Sequence, residues 1–166
     1  MGRSFIRSAI VLLATAFLSS ACGQQGSYEL RWTIGCKTPD DRESCALRSV
    51  KECSQVGLDS VEVFAQQGSA ETRSVFPCFS DAEGAMGRGP ELETGDVTLQ
   101  IYGLSPGGQK LIGPLAVETT IPSSGFVLVD VDLPRPPACN DGVDNDGDGL
   151  VDLHDPDCKD PNDTSE

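Results

Sequence analysis

Five short stretches of the chain alternate apolar and polar residues. A repeat of two is the period of an extended strand with one face buried. In 28–34, Tyr28, Leu30, Trp32 and Ile34 share one side, with Glu29, Arg31 and Thr33 opposite. Residues 60–66 gather Val61, Val63 and Ala65, and residues 96–102 gather Val97, Leu99 and Ile101. Residues 115–121 repeat the pattern through Leu115, Val117 and Ile121, and residues 126–133, the most apolar, through Val127, Val129, Val131 and Leu133. Residues 74–79 offer one more strand. The intervening Ser105-Pro106-Gly107-Gly108 and Pro122-Ser123-Ser124-Gly125 are turn chemistry. One helix is expected over about 41–54: Thr38 caps it, Pro39 suits its first position, Ala46, Val50 and Cys53 share a face, and Gly57 stops it. An α/β fold needs helices between successive strands. The pattern therefore predicts an all-β antiparallel sandwich with one short helix.

The first residues do not belong to that sandwich. Arg3 and Arg7 precede a short apolar run, 10–18, and small residues then lead to Cys22. This is the layout of an export signal over 1–21, too short to span a bilayer as a helix. The segment Leu18-Ser19-Ser20-Ala21-Cys22 resembles the lipobox of bacterial lipoproteins, although Ser19 stands where that motif usually has Leu. The resemblance implies that Cys22 carries the lipid, palmitate among its acyl chains. Two or three such chains anchor stably where one does not. It implies contact with the membrane through the anchor, and Gly23, where Asp is absent, implies the outer membrane of the cell envelope. Residues 22–27 form a polar tether.

Seven cysteines less Cys22 leave Cys36, Cys45, Cys53, Cys78, Cys139 and Cys158. An even set in an exported chain reads as disulfides, and six allow fifteen pairings. Zinc is disfavoured by the absence of a CxxC pair and by a single histidine. The formal charge of −14 becomes −16 once Arg3 and Arg7 are removed. Such a surface repels phosphate and argues against nucleic acid as a partner. Aromatic content of 5% leaves no obvious stacking platform for sugars.

Residues 28–133 resemble the small Ig-like or transthyretin-like modules of myxobacterial lipoproteins. The resemblance lies in the Trp32 strand, in Cys53 leading through Gly57 into Val61-Glu62-Val63, in Phe76-Pro77-Cys78, and in the strand from Gly95 to Tyr102 before a Gly-rich turn. It implies that Cys53 bonds Cys78, leaving Cys36 for Cys45. It brings no activity with it. Pro134-Arg135-Pro136-Pro137 then reads as a stiff linker over 134–138.

Beyond the linker the chemistry changes. Residues 138–166 hold ten acids and one lysine. Within them, Asp144, Asp146, Asp148, Asp152 and Asp155 follow the spacing D-x-D-x-D-G-x-x-D-x-x-D. Calcium takes six to eight oxygens, and carboxylates at alternate positions of a tight loop converge on one ion. Gly149 permits the sharp turn, and Leu150 donates its backbone carbonyl. The spacing resembles EF-hand loops, and more closely the calcium repeats of thrombospondin type 3 and dockerins. An EF-hand closes with Glu between two helices; here Asp155 closes, and Pro136, Pro137 and Pro156 flank the loop. The expectation is a nearly helix-free calcium loop over 139–158, bracketed by a Cys139–Cys158 bond, with 159–166 a disordered acidic tail.

Gly103-Leu104-Ser105-Pro106-Gly107 matches the nucleophile elbow in letters only, because Pro106-Gly107-Gly108 cannot open the helix the elbow requires. The sole histidine, His154, lies inside the calcium loop. No enzyme is expected. The sequence points to an outer-membrane-anchored lipoprotein with a structural or adhesive envelope role and a calcium-rigidified loop. A module binding peptide or polysaccharide at the cell surface is the alternative.

Overall fold

A computed structural model describes residues 23–36, 47 and 49–166. The export signal, Cys22, Thr38, Pro39, Cys45 and Ala46 lie outside the described residues.

Eight strands form two sheets. The first is built on β1 (Gln25–Ile34), which pairs with β4 (Met86–Arg88), β5 (Leu92–Glu93) and β8 (Phe126–Leu133). The second runs β3 (Ala70–Pro77), β2 (Ser60–Gln67), β6 (Gly95–Leu104), β7 (Lys110–Ile121), antiparallel throughout. The alternating residues pack between the sheets: Tyr28, Leu30, Trp32 and Ile34 meet Val61, Val63, Leu99, Ile101, Val129, Val131 and Leu133 in one core.

The expectation of an antiparallel sandwich needs correcting in the first sheet. There β1 and β8 run parallel, in register from Ser27 with Phe126 to Ile34 with Leu133. Side-chain alternation fixes which face is buried and is blind to the direction of the neighbour. The turn after β7 carries the chain across from the second sheet, and β8 then ascends beside β1. The pair is also joined laterally, since Arg31 donates to both carboxylate oxygens of Asp130, at 2.9 and 3.1 Å.

The helix also differs from its expectation. As described it is α1 (Val50–Ser54), and Ser49 caps it by accepting the Glu52 amide at 3.4 Å. Cys53 is buried, but Val50, expected on the same face, is 56% exposed. A single turn cannot present an inward stripe, and the disulfide alone decides which residue points in. Strands β4 and β5 escaped the sequence reading because two or three residues beside Gly87 and Gly89 carry no legible alternation. Those glycines are steric necessities: a Cβ at Gly87 would fall 2.3 Å from the Phe76 ring, and one at Gly89 2.2 Å from the Tyr28 ring.

Two features fix one end of the sandwich, and the second of them joins the sheets. Cys53 bonds Cys78, fastening α1 to the end of β3. The Trp32 indole, buried in β1, donates to the Cys78 carbonyl at 2.9 Å. Trp32→Phe keeps most of the apolar volume but orphans that buried carbonyl. We expect a loss of about 1–3 kcal/mol, read as a lower urea midpoint at unchanged slope.

Candidate functional site

Two regions carry polar chemistry beyond what the core requires: the C-terminal loop and the outward face of the second sheet.

The C-terminal chain is closed by the Cys139–Cys158 bond, and Cys139 is buried. It holds only two 3-10 turns, Ala138–Asn140 and Asp152–His154. Between them one oxygen each of Asp144, Asp146 and Asp148 lies within 4.8 Å of the others. The backbone wraps around its own carboxylates. Asp144 accepts the amides of Gly147 (2.7 Å) and Gly149 (3.0 Å), Asp146 that of Asp148 (2.9 Å), and Asp148 that of Leu150 (2.8 Å). Gly149 has φ +95°, a conformation L side chains rarely adopt, which explains glycine at that turn.

Asp155 stands near this triad. It is 2% exposed; one oxygen accepts the Asp157 amide at 2.7 Å, while the other is buried without a hydrogen-bond partner. The Asp157 amide is the largest influence on this carboxyl and favours its charged form. Desolvation and the charges of Asp148, Asp146 and Asp157 outweigh it, so the group titrates above the ordinary carboxylate range. Asp155 is not among the three whose oxygens converge, but it feels the charges of Asp146 and Asp148, and a buried carboxylate oxygen with no donor is what a bound cation would satisfy. Asp152 is placed differently. It takes φ +54°, and its carboxylate accepts the Gly142 amide at 3.0 Å, outside the triad. Leu150 is 39% exposed, and His154 lies in the second 3-10 turn.

The stretch 159–166, expected to be disordered, folds back on the loop. Cys139 donates its amide to Asp163 O (3.2 Å), and the Glu166 carboxylate accepts the amides of Asn145 (2.6 Å) and Asp152 (2.5 Å). Cysteine and backbone donors hold these acids in place, a feature that composition does not report. The loop is also seated on the sandwich. Gly57, at φ +66°, lies so close that a Cβ would come 2.1 Å from the Asp141 carbonyl. Asp141 is itself buried. Burial lifts its carboxyl, the Val143 amide and Asn145 side chain oppose this, and the charges of Asp152 and Glu166 add to the rise.

The outward face of the second sheet was not singled out by the sequence. Glu62 is buried there, 3% exposed, between Arg73 (2.5 Å) and Lys110 (3.3 Å). Lys110 also lies 3.6 Å from the Tyr102 ring centre and 4.9 Å from that of Phe64, and the two rings meet edge to face. Beyond the rings the same face opens into a shallow cleft of about 680 Å³, lined by Gln66, Asp96, Thr98, Glu118 and Thr120. Burial alone would raise the Glu62 carboxyl. Hydrogen bonds and charge from Arg73 and Lys110 reverse this and hold it below the usual range.

No catalytic cluster is evident among the described residues. Ser105 follows β6 as expected, but its hydroxyl accepts the Gln109 amide at 3.1 Å within a turn, and no helix follows. Among the described residues Cys36 is also disulfide-bonded.

No family model matches the chain, and no curated protein matches it. Among solved structures it is similar to a minor pilin of the Gram-positive pathogen Streptococcus agalactiae, at 14% identity and a TM-score of 0.37, over 69% of this chain and 46% of the pilin. The chain thus spans less than half of that protein, and no activity or partner is carried across. The sequence reading is corrected at this point. The comparisons lend no support to an outer-membrane lipoprotein, the similar solved structure being a Gram-positive minor pilin, and the Cys22 anchor lies outside the described residues. The lipoprotein identity, the palmitate, the outer-membrane location, the membrane contact and the envelope role built on them are withdrawn.

The two regions respond to pH with opposite sign. Glu62 has a lowered carboxyl, so its contribution is present above the unfolded value and is lost as pH falls through the folded one. Asp141 has a raised carboxyl, so the native state holds its proton longer, and stability falls as pH rises from the unfolded value through the folded one. In chelator-treated protein, acidification toward the carboxylate range is expected to loosen the Arg73–Glu62 contact and to relieve repulsion around Asp141, raising protection across the loop while the Val143 amide bond to that carboxylate itself weakens. Residue-resolved hydrogen exchange across that range checks both.

Proposed function

We propose that this chain is a ligand-binding module working outside the reducing cytoplasm, with a C-terminal loop that calcium organises as a structural cross-link. The observation that carries the cation is the convergence of one oxygen each of Asp144, Asp146 and Asp148, supported by a buried Asp155 oxygen that has no donor and lies within the influence of the Asp146 and Asp148 charges. All-oxygen donors suit a hard cation, and calcium tolerates the irregular geometry of such a loop better than magnesium does. Asp144, Asp146, Asp148 and Asp155 would hold the ion through carboxylates, Leu150 through its carbonyl, and Asp152 through an intervening water or after turning from Gly142. The ion would neutralise crowded acids and fix the loop against Gly57. The disulfides support an oxidising location.

The ligand surface is the outward face of the second sheet. Phe64 and Tyr102 offer ring surface, and the neighbouring cleft offers threonine hydroxyls, an amide and two carboxylates. That combination suits the hydroxyls and apolar faces of a polysaccharide better than a peptide backbone, which would seek a free strand edge.

Calcium titration calorimetry on the chain from Gly23 onward tests the cation. Saturable heat with a dissociation constant of roughly 10⁻⁴ to 10⁻³ M is expected, and it should vanish in Asp146→Ala and Asp148→Ala. Absence of heat from the unaltered chain up to several millimolar would end the calcium reading. For the ligand face, retention on neutral polysaccharide columns should fall in Tyr102→Ala and persist in Leu153→Ala, which alters an exposed residue elsewhere. Equal retention of both variants would move the binding surface off this sheet.

A further inference from the structure

We propose that the Glu166 carboxylate is a positioning clamp that sets how tightly the C-terminal loop holds its cation. The proposal rests on the calcium reading above.

The geometry is specific. The two oxygens of one carboxylate accept two backbone amides: Oε2 takes Asn145 N at 2.6 Å and Oε1 takes Asp152 N at 2.5 Å. Asn145 follows the first expected ligand, Asp144, and Asp152 lies between Leu150 and Asp155, so the clamp closes the loop from both flanks. Glu166 is itself held by its neighbourhood. Ser165 O lies 3.5 Å from the Cys139 disulfide sulfur, Asp163 O accepts the Cys139 amide at 3.2 Å, and Asp163 Oδ2 accepts the Lys159 amide at 2.9 Å. The disulfide and the clamp therefore act on one closed unit.

Asp152 needs such a restraint. Its φ of +54° is a left-handed conformation, uncommon outside glycine, that an Asp holds more readily when hydrogen bonds fix it. Glu166 holds its amide and Gly142 holds its carboxylate. Releasing the amide would let Asp152 relax and the two halves of the loop part, so the ordering would have to be done at the moment of binding. Charge acts in the same direction. Glu166 brings a further negative charge toward Asp141, and the ion pairs Arg31–Asp130, Arg73–Glu62, Lys110–Glu62 and Arg88–Glu29 all lie on the sandwich. A bound cation would relieve repulsion that none of these pairs reaches. Groups that orient metal ligands without touching the metal typically alter affinity 10- to 100-fold.

The test is calcium calorimetry on the unaltered chain, Glu166→Ala and Glu166→Gln, alongside amide NMR of the cation-free proteins. Trp32 fluorescence reports that the sandwich stays folded. Glu166→Ala should weaken calcium binding roughly 10- to 100-fold and move the Asn145 and Asp152 amide resonances toward unbonded positions. Glu166→Gln, which keeps one acceptor oxygen but loses the charge, should fall between. Calcium binding in the unaltered chain with undiminished affinity in Glu166→Ala overturns the clamp and leaves the calcium reading intact. No binding in the unaltered chain removes the calcium reading, and the clamp's effect on affinity goes with it.

Discussion

The hydrogen bond from the Trp32 indole to the Cys78 carbonyl is the point on which the two-sheet arrangement turns. Trp32 belongs to the strand that organises the first sheet, and Cys78 follows β3, an outer strand of the second. Hydrophobic burial is non-directional and would bring the sheets together at many angles. A buried indole N–H accepts few positions, because leaving it unmade costs the desolvation of both donor and acceptor. The Cys53–Cys78 bond adds a covalent limit at the same place, and Phe76 lies stacked 6.4 Å from the Trp32 ring. One end of the sandwich is thereby fixed, and α1 and Gly57 are fixed with it. Gly57 is where Asp141 rests, so the seating of the C-terminal loop follows from a contact made inside the β core.

The sequence exposes those parts of this fold that depend on side-chain period. Leu30, Val63, Leu99 and Val131 were assignable to a buried face because a period of two has one structural meaning, and all four are buried. What it conceals is relational. The parallel pairing of β1 with β8 has no local signature, since a strand's own residues do not encode its neighbour's direction. The short β4 and β5 exist because β1 offers them an edge. Glu62 alternates onto the polar side of β2, and its burial depends on Arg73 and Lys110 arriving from β3 and β7, on either side in the sheet.

At the C-terminal loop the balance differs. The spacing of Asp144, Asp146 and Asp148 was legible because alternate carboxylates in a tight turn are forced to converge, and the structure brings the three together. The direction of Asp152 was not legible. Spacing alone treats it as one more oxygen in the series, but the loop turns that carboxylate to the Gly142 amide. Residues 159–166 show the same limit from the other side. An acidic composition predicts repulsion and disorder, yet composition cannot see that the amides of Cys139, Asn145 and Asp152 stand ready to donate to oxygens of Asp163 and Glu166.

The two polar regions are built on opposite electrostatic principles, and this decides what each can do. Glu62 is compensated within the fold by two cations from flanking strands, so its site is complete without a ligand and Lys110 already covers the Phe64 and Tyr102 rings. A ligand on that face would have to displace or share Lys110. Among the described residues the loop acids are met by backbone amides and the Asn145 side chain and by no ion pair, with one buried oxygen of Asp155 left over. Amides orient carboxylates but do not cancel their charge, so the loop remains under repulsion that a divalent ion can lift. The sandwich is therefore electrostatically complete as a folded object, whereas the loop keeps three convergent carboxylates that could hold a divalent ion. The close approach at Gly57 makes the order of the second depend on the rigidity of the first.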